Sequence, residues 1–332
     1  MTFHPTSPRF HDLVPPGTAL EKIADGFQFT EGPLWDARQG CLLFSDILGN
    51  RIYRWSPHEG VSVRREPSGM SNGLTFDPEG RLCACEHGNR RVSRTERDGR
   101  VVILADRFEG KRLNSPNDLV FRSDGTLYFT DPPYGLTPPY GLEGQQAELD
   151  FHGLFRWGPD ARRQSSVASG RAVDSTDAEP ALAGAGVLRL ATGDCEADFD
   201  RPNGLAFSPD EKRLYVADTP RCHVRVFDVA PDGSLSGGAV FAELRGEGGR
   251  PDGMKVDCLG NLWCTGPGGV WVFSPEGEHL GSLRVPERQT ANVAWGQSGQ
   301  DPSELWTWLY MTSHVAVYRL HVSVPGCRGV WS

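Results

Sequence analysis

The sequence predicts an all-β fold, a six-bladed β-propeller with four antiparallel strands in each blade. A hairpin-like unit recurs six times along the chain, and no amphipathic helical window of useful length occurs. Most copies lie about 40 to 50 residues apart, which is the period of one four-stranded blade. A sandwich or a barrel is the alternative for a repeated hairpin. A third strand-like run after every hairpin, and a weaker fourth, favour the propeller.

Each unit resembles residues 201–218, RPNGLAFSPDEKRLYVAD. A polar residue, Asn203, stands beside a glycine and precedes a short apolar run. Turn residues follow, and a second apolar run ends at Asp218, a pattern typical of two antiparallel strands joined by a tight turn. The six units are residues 30–46, 71–87, 116–131, 201–218, 251–266 and, in a degenerate form, 290–312.

The end of the chain shows how the ring closes. The sixth unit is followed by only one more strand-like run, and residues 19–24 precede the first unit without a blade of their own. We therefore predict that residues 19–24 form the outer strand of blade six, which removes the exposed edges of a linear stack. Residues 1–332 then form one propeller domain with an N-terminal extension at 1–18. Third strands are predicted at residues 51–55, 91–94, 153–157, 224–227, 269–273 and 316–320.

One interval between units is about twice the usual period. The extra sequence includes residues 158–186, which are rich in Ala, Ser, Arg, Asp and Gly and show no periodicity. This composition predicts a long, flexible surface loop between blades three and four, with a lid as the alternative. Residues 132–149 also form a predicted loop, and its tyrosines and prolines indicate more order.

Composition and charge exclude several classes of protein. The net charge is −9, whereas nucleic-acid binders usually carry a basic stripe. No run approaches the roughly 18 apolar residues needed to cross a bilayer, and the N-terminus shows no secretory signal. We therefore expect a cytoplasmic protein, a monomer or a weak homodimer, without nucleic-acid or membrane partners.

The propeller geometry selects candidate functional residues. The first strand of each blade lines the central channel. The residues at the start of this strand and the loop between the second and third strands lie at the same mouth of the channel. Asn-Gly and Asp-Gly pairs alone are typical of turns, but their recurrence ahead of each first strand favours a ring around the axis. Such carboxylate and amide oxygens suit Ca²⁺ or Mg²⁺, with Mn²⁺ as a further option. The strand starts supply Glu31, Asn72, Asn117, Asp118, Asn203, Asp252 and Asn292, and the loops supply Asp46, His87, Asp131, Asp218, Thr265 and His314.

Several long motifs carry a resemblance to a known family. They occur in order over nearly the whole chain: FTEGPLWD, CEHGNRRVSR, LNSPNDLVFRSDGTLYFTDPPYGL, DRPNGLAFSPDEKRLYVAD, RPDGMKVDCLGNLW and GPGGVWVFSPEG. With these motifs the sequence resembles the SMP-30/gluconolactonase family, also called regucalcin-like lactonases, in its bacterial form. The resemblance implies a six-bladed propeller with one divalent cation in the channel.

The resemblance also implies roles for individual residues. The family's metal-binding glutamate and asparagine fall on Glu31 and Asn203. Its metal-binding aspartate, the usual candidate for the catalytic base, falls on Asp252. Asn117 falls on a substrate contact or a further ligand, and Asp118 beside it on a substrate contact.

The sequence departs from the animal members at one position. They place an arginine two residues before the asparagine that corresponds to Asn117, whereas this chain has Ser115. Arg112 and Asn114 are the candidates to take its place, and Tyr134 is a candidate to cover the substrate. For His87, a proton relay and a structural hydrogen bond are the two interpretations. Residues expected just behind the site are His87, Asp131 and Asp218.

The resemblance therefore implies a metal-dependent sugar lactonase that hydrolyses glucono-1,5-lactone to the aldonic acid, with Asp252 activating water. The predicted cofactor is one divalent cation, Ca²⁺ first, with Mg²⁺, Mn²⁺ or Zn²⁺ as alternatives. Another lactone or an organophosphate ester is the alternative substrate, and a non-catalytic binding propeller is the alternative class. A Ser-His-Asp hydrolase is disfavoured because no G-x-S-x-G motif occurs.

Overall fold

The computed structural model describes residues 3–158, 186–190, 199–299 and 305–327. Six antiparallel sheets follow one another along the chain. The inner strand of each sheet contacts the inner strand of the next, and the sixth contacts the first. The sheets therefore close into a ring, and the predicted six-bladed propeller is confirmed.

Within each blade the strands follow chain order from the axis outward, except for the closing strand of blade six. Blades one to three contain Thr30–Asp36, Cys41–Asp46, Arg51–Ser56 and Gly60–Arg65; Ser71–Phe76, Leu82–Glu86, Arg91–Thr95 and Val101–Ala105; Leu119–Phe121, Leu127–Asp131, Gly153–Gly158 and Gly186–Arg189. Blades four to six contain Pro202–Phe207, Arg213–Asp218, His223–Val229 and Leu235–Glu243; Met254–Val256, Leu262–Gly266, Gly269–Phe273 and His279–Arg284; Asn292–Gly296, Trp308–Ser313 and Ala316–His321.

Closure follows the predicted route. Glu21–Asp25 pairs with Ala316–His321 as the outer strand of blade six, with Glu21 opposite Arg319. The Arg319 guanidinium donates to the Glu21 carboxylate at 2.8 Å across this seam. The N-terminal strand therefore completes blade six and closes the ring, as the sequence predicted.

The N-terminal extension is also built into the propeller. Phe3–Pro5 pairs with the outer strand of blade five, and a single helical turn, Phe10–Leu13, follows. Phe10 is fully buried in the core shared by blades five, six and one. Within the part of the chain that the structure describes, no helix is long and apolar enough to cross a membrane.

The core lies between blades, which explains the apolar runs of the second strands, such as residues 41–44 in blade one. All six residues of Cys41–Asp46 are buried. Successive side chains of a strand point to opposite faces, so Leu42 and Phe44 pack toward blade six. Cys41 and Leu43 pack toward blade two. A strand buried on both faces needs apolar residues at every position rather than at alternate ones.

The long insertion belongs to blade three, which corrects its predicted place between blades three and four. Gly158 pairs with Gly186, and these residues end the third strand and begin the fourth. Antiparallel order places its two ends, Gly158 and Gly186, on the face opposite the loops between second and third strands. The predicted flexible loop spans residues 158–186, and all of it except these two end residues lies outside the described residues. Residues 132–149 contain a 3₁₀ turn, Tyr134–Leu136, and the side chains of Leu136 and Leu149 are buried.

Candidate active site at the mouth of the channel

A cavity of about 560 Å³ opens at the face where the inner strands begin. This volume is typical of small-molecule sites. All four residues expected to bind a cation, Glu31, Asn117, Asn203 and Asp252, line it. The structure therefore brings together residues that are up to about 220 positions apart in the sequence.

Irregular backbone directs these side chains toward the axis. The pairing of the inner strand with its neighbour shifts register between Glu31 and Leu34 in blade one, and between Pro202 and Leu205 in blade four. A bulge re-aims the side chains beside it. In both blades the irregularity coincides with the polar residue and its glycine.

The glycines of these pairs allow neighbouring blades to approach each other. A Cβ on Gly32 would lie 2.1 Å from the carbonyl oxygen of Asn72, and one on Gly204 would lie 2.3 Å from that of Asp252. Both distances are far below contact, so any larger residue would push the blades apart. In most polar-glycine pairs the glycine serves a turn. Here the glycine is required because neighbouring blades approach each other closely at the axis.

The carboxylates at the ends of two second strands hold the backbone that leads into the inner strands. Asp131 accepts a hydrogen bond from the backbone N–H of Asn114 at 2.7 Å. Asp218 accepts from the N–H groups of Asp200 and Arg201 at 2.9 and 3.1 Å. Neither aspartate is among the described residues that line the cavity. They fix the segments that carry Asn117 and Asn203.

Glu31 and Asp252 are two buried carboxyl groups on one cavity, 3 % and 7 % exposed. Burial raises the pKa of Glu31 to about 7, and the nearby charge of Asp118 adds to this shift. Burial also raises the pKa of Asp252 well above its usual range, with a further contribution from the charge of Glu31. Two buried acids that repel each other are stabilised by a cation between them.

The donor set fits a hard divalent cation. Within the described residues no three His, Cys, Asp or Glu side chains form a metal-binding cluster. The cavity instead combines the carboxylates of Glu31 and Asp252 with the amides of Asn117 and Asn203. Oxygen-only sets of this kind suit Ca²⁺ or Mg²⁺, and two carboxylates match the charge of the ion.

Neighbouring groups orient two of these side chains. Asn203 Nδ2 donates to Thr219 Oγ1 at 3.1 Å, and Thr219 Oγ1 donates to the carbonyl oxygen of Pro251 at 2.7 Å. These two hydrogen bonds fix the orientation of the Asn203 amide at the edge of the cavity. Gln289 Nε2 donates to Asp252 Oδ2 at 3.2 Å, which holds that carboxylate in place.

Three residues predicted to contact substrate lie away from the cavity lining, which corrects those predictions. Arg112 is directed to the carbonyl oxygen of Asn89 at 3.1 Å, because it sits on a two-stranded ribbon at the edge. The buried Asn114 donates to the carbonyl oxygen of Asp131 at 3.2 Å. Asp118 is buried behind the lining, where its Oδ1 accepts a hydrogen bond from the N–H of Leu119. Its negative charge helps to raise the pKa of Glu31.

Ser115 has a packing role. Its hydroxyl donates to the carbonyl oxygen of Pro132 at 2.5 Å and accepts from the N–H of Gly135 at 2.8 Å. The loop of residues 132–149 thus packs directly on Ser115, where a long side chain has no room. The same loop brings Tyr134, the candidate to cover the substrate, and Tyr140 to the cavity.

Several cavity residues escaped the sequence reasoning. Their common feature is a position in an irregular loop rather than in the repeated unit. Gln289 precedes the degenerate sixth unit by one residue, and Thr219 directly follows Asp218, so the repeat alignment offered a signal for both. The residues that were missed are Phe29, Ile47, Tyr140, Thr219, Gly246, Gly248, Gly249, Arg250, Arg288 and Gln289.

The fold and the site together define a class of protein: a six-bladed propeller with an oxygen-rich ligand pocket at one mouth of its channel. Residues 29–315 match the family model of the SMP-30/gluconolactonase/LRE-like region. The chain belongs to this family.

Individual relatives agree with this assignment. The chain is 34% identical to the gluconolactonase of Zymomonas mobilis, an alignment that covers 89% of this chain and 80% of the relative. It is 27% identical to the 6-deoxy-6-sulfogluconolactonase of Pseudomonas putida, over 90% of this chain and 92% of that one. The solved structure of a gluconolactonase from Xanthomonas campestris aligns with a TM-score of 0.81 at 32% identity, over 97% and 95% of the two chains.

Proposed function

We propose that the protein is a divalent-cation-dependent sugar lactonase that hydrolyses an aldonolactone, glucono-1,5-lactone first, to the aldonic acid. The observation that carries the proposal is the pair of buried carboxyl groups, Glu31 and Asp252, on one cavity with two amide side chains. Relatives named as gluconolactonases at 34% and 32% identity support the choice of substrate class.

The cation would be held by Glu31, Asn117, Asn203 and Asp252. Ca²⁺ is the first candidate, because all four donors are oxygens. Mg²⁺ and Mn²⁺ use the same ligand chemistry, whereas Zn²⁺ favours the nitrogen and sulfur ligands that this set lacks. When bound, the cation would polarise the lactone carbonyl and offset the negative charge that develops on its oxygen.

Asp252 would act as the general base. Its carboxylate takes a proton from a water molecule, and the water oxygen bonds to the carbonyl carbon. The bond between that carbon and the ring oxygen then breaks, and the ring oxygen takes the proton from Asp252 to become a hydroxyl group. Burial raises the pKa of Asp252 and a bound cation lowers it. These two effects oppose each other, and an activated ester such as an aldonolactone requires only a weak base.

A pH-drop assay on glucono-1,5-lactone tests this proposal. The initial rate is measured for the protein as purified, after treatment with a chelator, and after Ca²⁺, Mg²⁺, Mn²⁺ or Zn²⁺ is restored. We expect acceleration over spontaneous opening that disappears on chelation and returns with the cation. Full activity in the presence of excess chelator would contradict the role of the cation, and no acceleration under any condition would contradict the activity.

A panel of further substrates then defines the range. Other aldonolactones, simple lactones and an organophosphate ester are compared under the best cation condition. Faster turnover of the organophosphate than of every lactone would replace the proposed substrate class.

A further inference from the structure

Asn72 presents an unpaired oxygen atom at the cavity. The residue begins the inner strand of blade two, lines the same cavity as Glu31 and Asp252, and is 3 % exposed. Its backbone is held in place, since its carbonyl oxygen accepts from Ser45 Oγ at 2.8 Å. Among the described residues, no group donates a hydrogen bond to Asn72 Oδ1.

The orientation of this amide follows from its neighbour, His87. His87 Nδ1 lies 3.2 Å from the carbonyl oxygen of Tyr140. A carbonyl oxygen only accepts, so Nδ1 carries the proton. Burial lowers the pKa of His87 to about 4, so the ring is neutral and Nε2 is an acceptor.

Asn72 must therefore turn its N–H₂ group toward His87. The two nitrogen atoms, Asn72 Nδ2 and His87 Nε2, lie 3.3 Å apart. With the amide flipped, two acceptors would face each other at this distance. The chain from the Tyr140 carbonyl through His87 to Asn72 thus leaves Oδ1 as the unpaired acceptor.

A buried carbonyl oxygen without a donor is destabilising, so its presence in a ligand cavity indicates a donor on the ligand. Sugar lactones carry hydroxyl groups on the ring, and a hydroxyl is a donor of the right kind. We propose that Asn72, oriented by His87, accepts a hydrogen bond from a ring hydroxyl of the lactone and thereby selects hydroxylated lactones over plain ones. This inference rests on the proposed lactonase function.

The physical basis is the asymmetry of hydrogen-bond recognition. A site built to bind a hydroxyl group discriminates strongly against an analogue that lacks it, because the buried acceptor is then left unpaired. Asn72 is here a specificity residue that touches substrate, and His87 is a positioning residue that acts through Asn72.

The test compares two six-membered lactones, glucono-1,5-lactone and δ-valerolactone, which has no hydroxyl groups. For Asn72→Leu, at a Ca²⁺ concentration that saturates the wild-type protein, we expect kcat/KM for glucono-1,5-lactone to fall about ten-fold or more. The value for δ-valerolactone should change by less than about two-fold, because no hydrogen bond is lost there. His87→Phe should lower the ratio of kcat/KM for glucono-1,5-lactone to kcat/KM for δ-valerolactone by a smaller factor, because the Asn72 amide then becomes free to rotate.

Asn114→Ala is the matched control. Asn114 is also a buried amide whose Oδ1 has no partner among the described residues, but it lies away from the cavity lining. Its substitution should leave the ratio of the two kcat/KM values unchanged. Thermal unfolding confirms that each variant is folded, and Asn72→Ala replaces Asn72→Leu if the larger side chain is not accommodated.

Three results would overturn the inference. An equal loss on both lactones would show a general structural or catalytic role for Asn72. Recovery of the lost activity at higher Ca²⁺ would show that Asn72 is a cation ligand instead. An unchanged ratio in a folded, active variant would show that Oδ1 meets no hydroxyl group. If the wild-type protein hydrolyses neither lactone, the proposed function fails, which is a distinct result.

Discussion

The two halves of the channel are built by the same six inner strands and differ in the side chains that line them. The mouth half begins the strands and contains buried carboxyl and amide groups, among them Glu31 and Asp252. The far half ends the strands, and aromatic side chains such as Trp35, Phe76 and Trp295 line its cavity of about 420 Å³. The start of an inner strand thus contributes polar side chains to the candidate active site, whereas the end of the same strand contributes apolar side chains to packing.

This contrast shows where the protein gains and loses stability. Apolar burial in the far half is favourable. Burial of Glu31 and Asp252 in the mouth half is unfavourable in the absence of a cation, as their raised pKa values indicate. Sites that carry function are commonly the places where stability is sacrificed. The two halves should therefore respond in opposite ways to substitution.

The largest expected effect is on activity, in the mouth half. Asp252→Asn keeps the shape and one oxygen of the side chain but removes the base. Loss of a general base should lower kcat by about a hundred-fold to ten-thousand-fold. The free energy of unfolding of the cation-free protein should stay the same or rise, because a buried acid that repels Glu31 is gone. Lactone hydrolysis and urea unfolding check the two parts, and full activity of this variant would exclude Asp252 as the base.

Trp35→Ala should do the reverse, in the far half. Trp35 is 1% exposed and stacks on Tyr310 with ring centroids 5.3 Å apart. Loss of a large buried aromatic side chain costs about 3–5 kcal/mol. We expect kcat per folded molecule to remain at the wild-type value. Val61→Ala, at a residue that is 40% exposed, is the control with little expected change in stability. A loss of kcat in folded Trp35→Ala would contradict the assignment of stability to the far half and activity to the mouth half.

The repeat made the regular parts of this division predictable. Each unit places a polar residue ahead of the inner strand, so Glu31, Asn203 and Asp252 could be assigned to one mouth from the sequence alone. The closing strand Glu21–Asp25 was predictable because blade six lacked a partner for its edge. These inferences needed only periodicity and the antiparallel order of strands.

The irregular parts were not predictable in the same way. Arg112 and Asn114 lie close to Asn117 in sequence, but spacing along a loop does not determine the direction of a side chain. Tyr140 reaches the cavity through a loop whose course depends on packing against Ser115. The strand Phe3–Pro5 is only three residues long, too short to show a period.

The pH dependence of stability sharpens the comparison further. A carboxyl group whose pKa is higher in the native state than in the unfolded state binds its proton more tightly when folded. The stability that it contributes is therefore greatest at low pH and is lost as the pH rises. For Glu31 the window runs from the ordinary pKa of 4.5 to about 7. The cation-free protein should lose on the order of 1–3 kcal/mol across this window.

A bound cation should remove this loss, because it favours the ionised carboxylates. Urea unfolding at about pH 5 and about pH 8, with chelator and with Ca²⁺, measures the difference. Asp252→Asn should flatten the curve of the cation-free protein, because it removes a second buried carboxyl group whose pKa is raised in the native state. Parallel curves with and without the cation would contradict the assignment of Glu31 as a ligand.

The smallest expected effect is at the rim of the mouth half. Arg250 and Arg288 line the cavity, but both side chains are exposed to solvent. Exposed charges contribute little and are screened by salt. Arg288→Gln should therefore change kcat/KM for a neutral lactone by less than about five-fold. The remaining effect should vanish at about 1 M salt, where the screening length is only about 3 Å.

A larger effect that persists in salt would mean that Arg288 contacts the substrate directly. The boundary of the functional half would then lie in the rim loops and not at the starts of the inner strands.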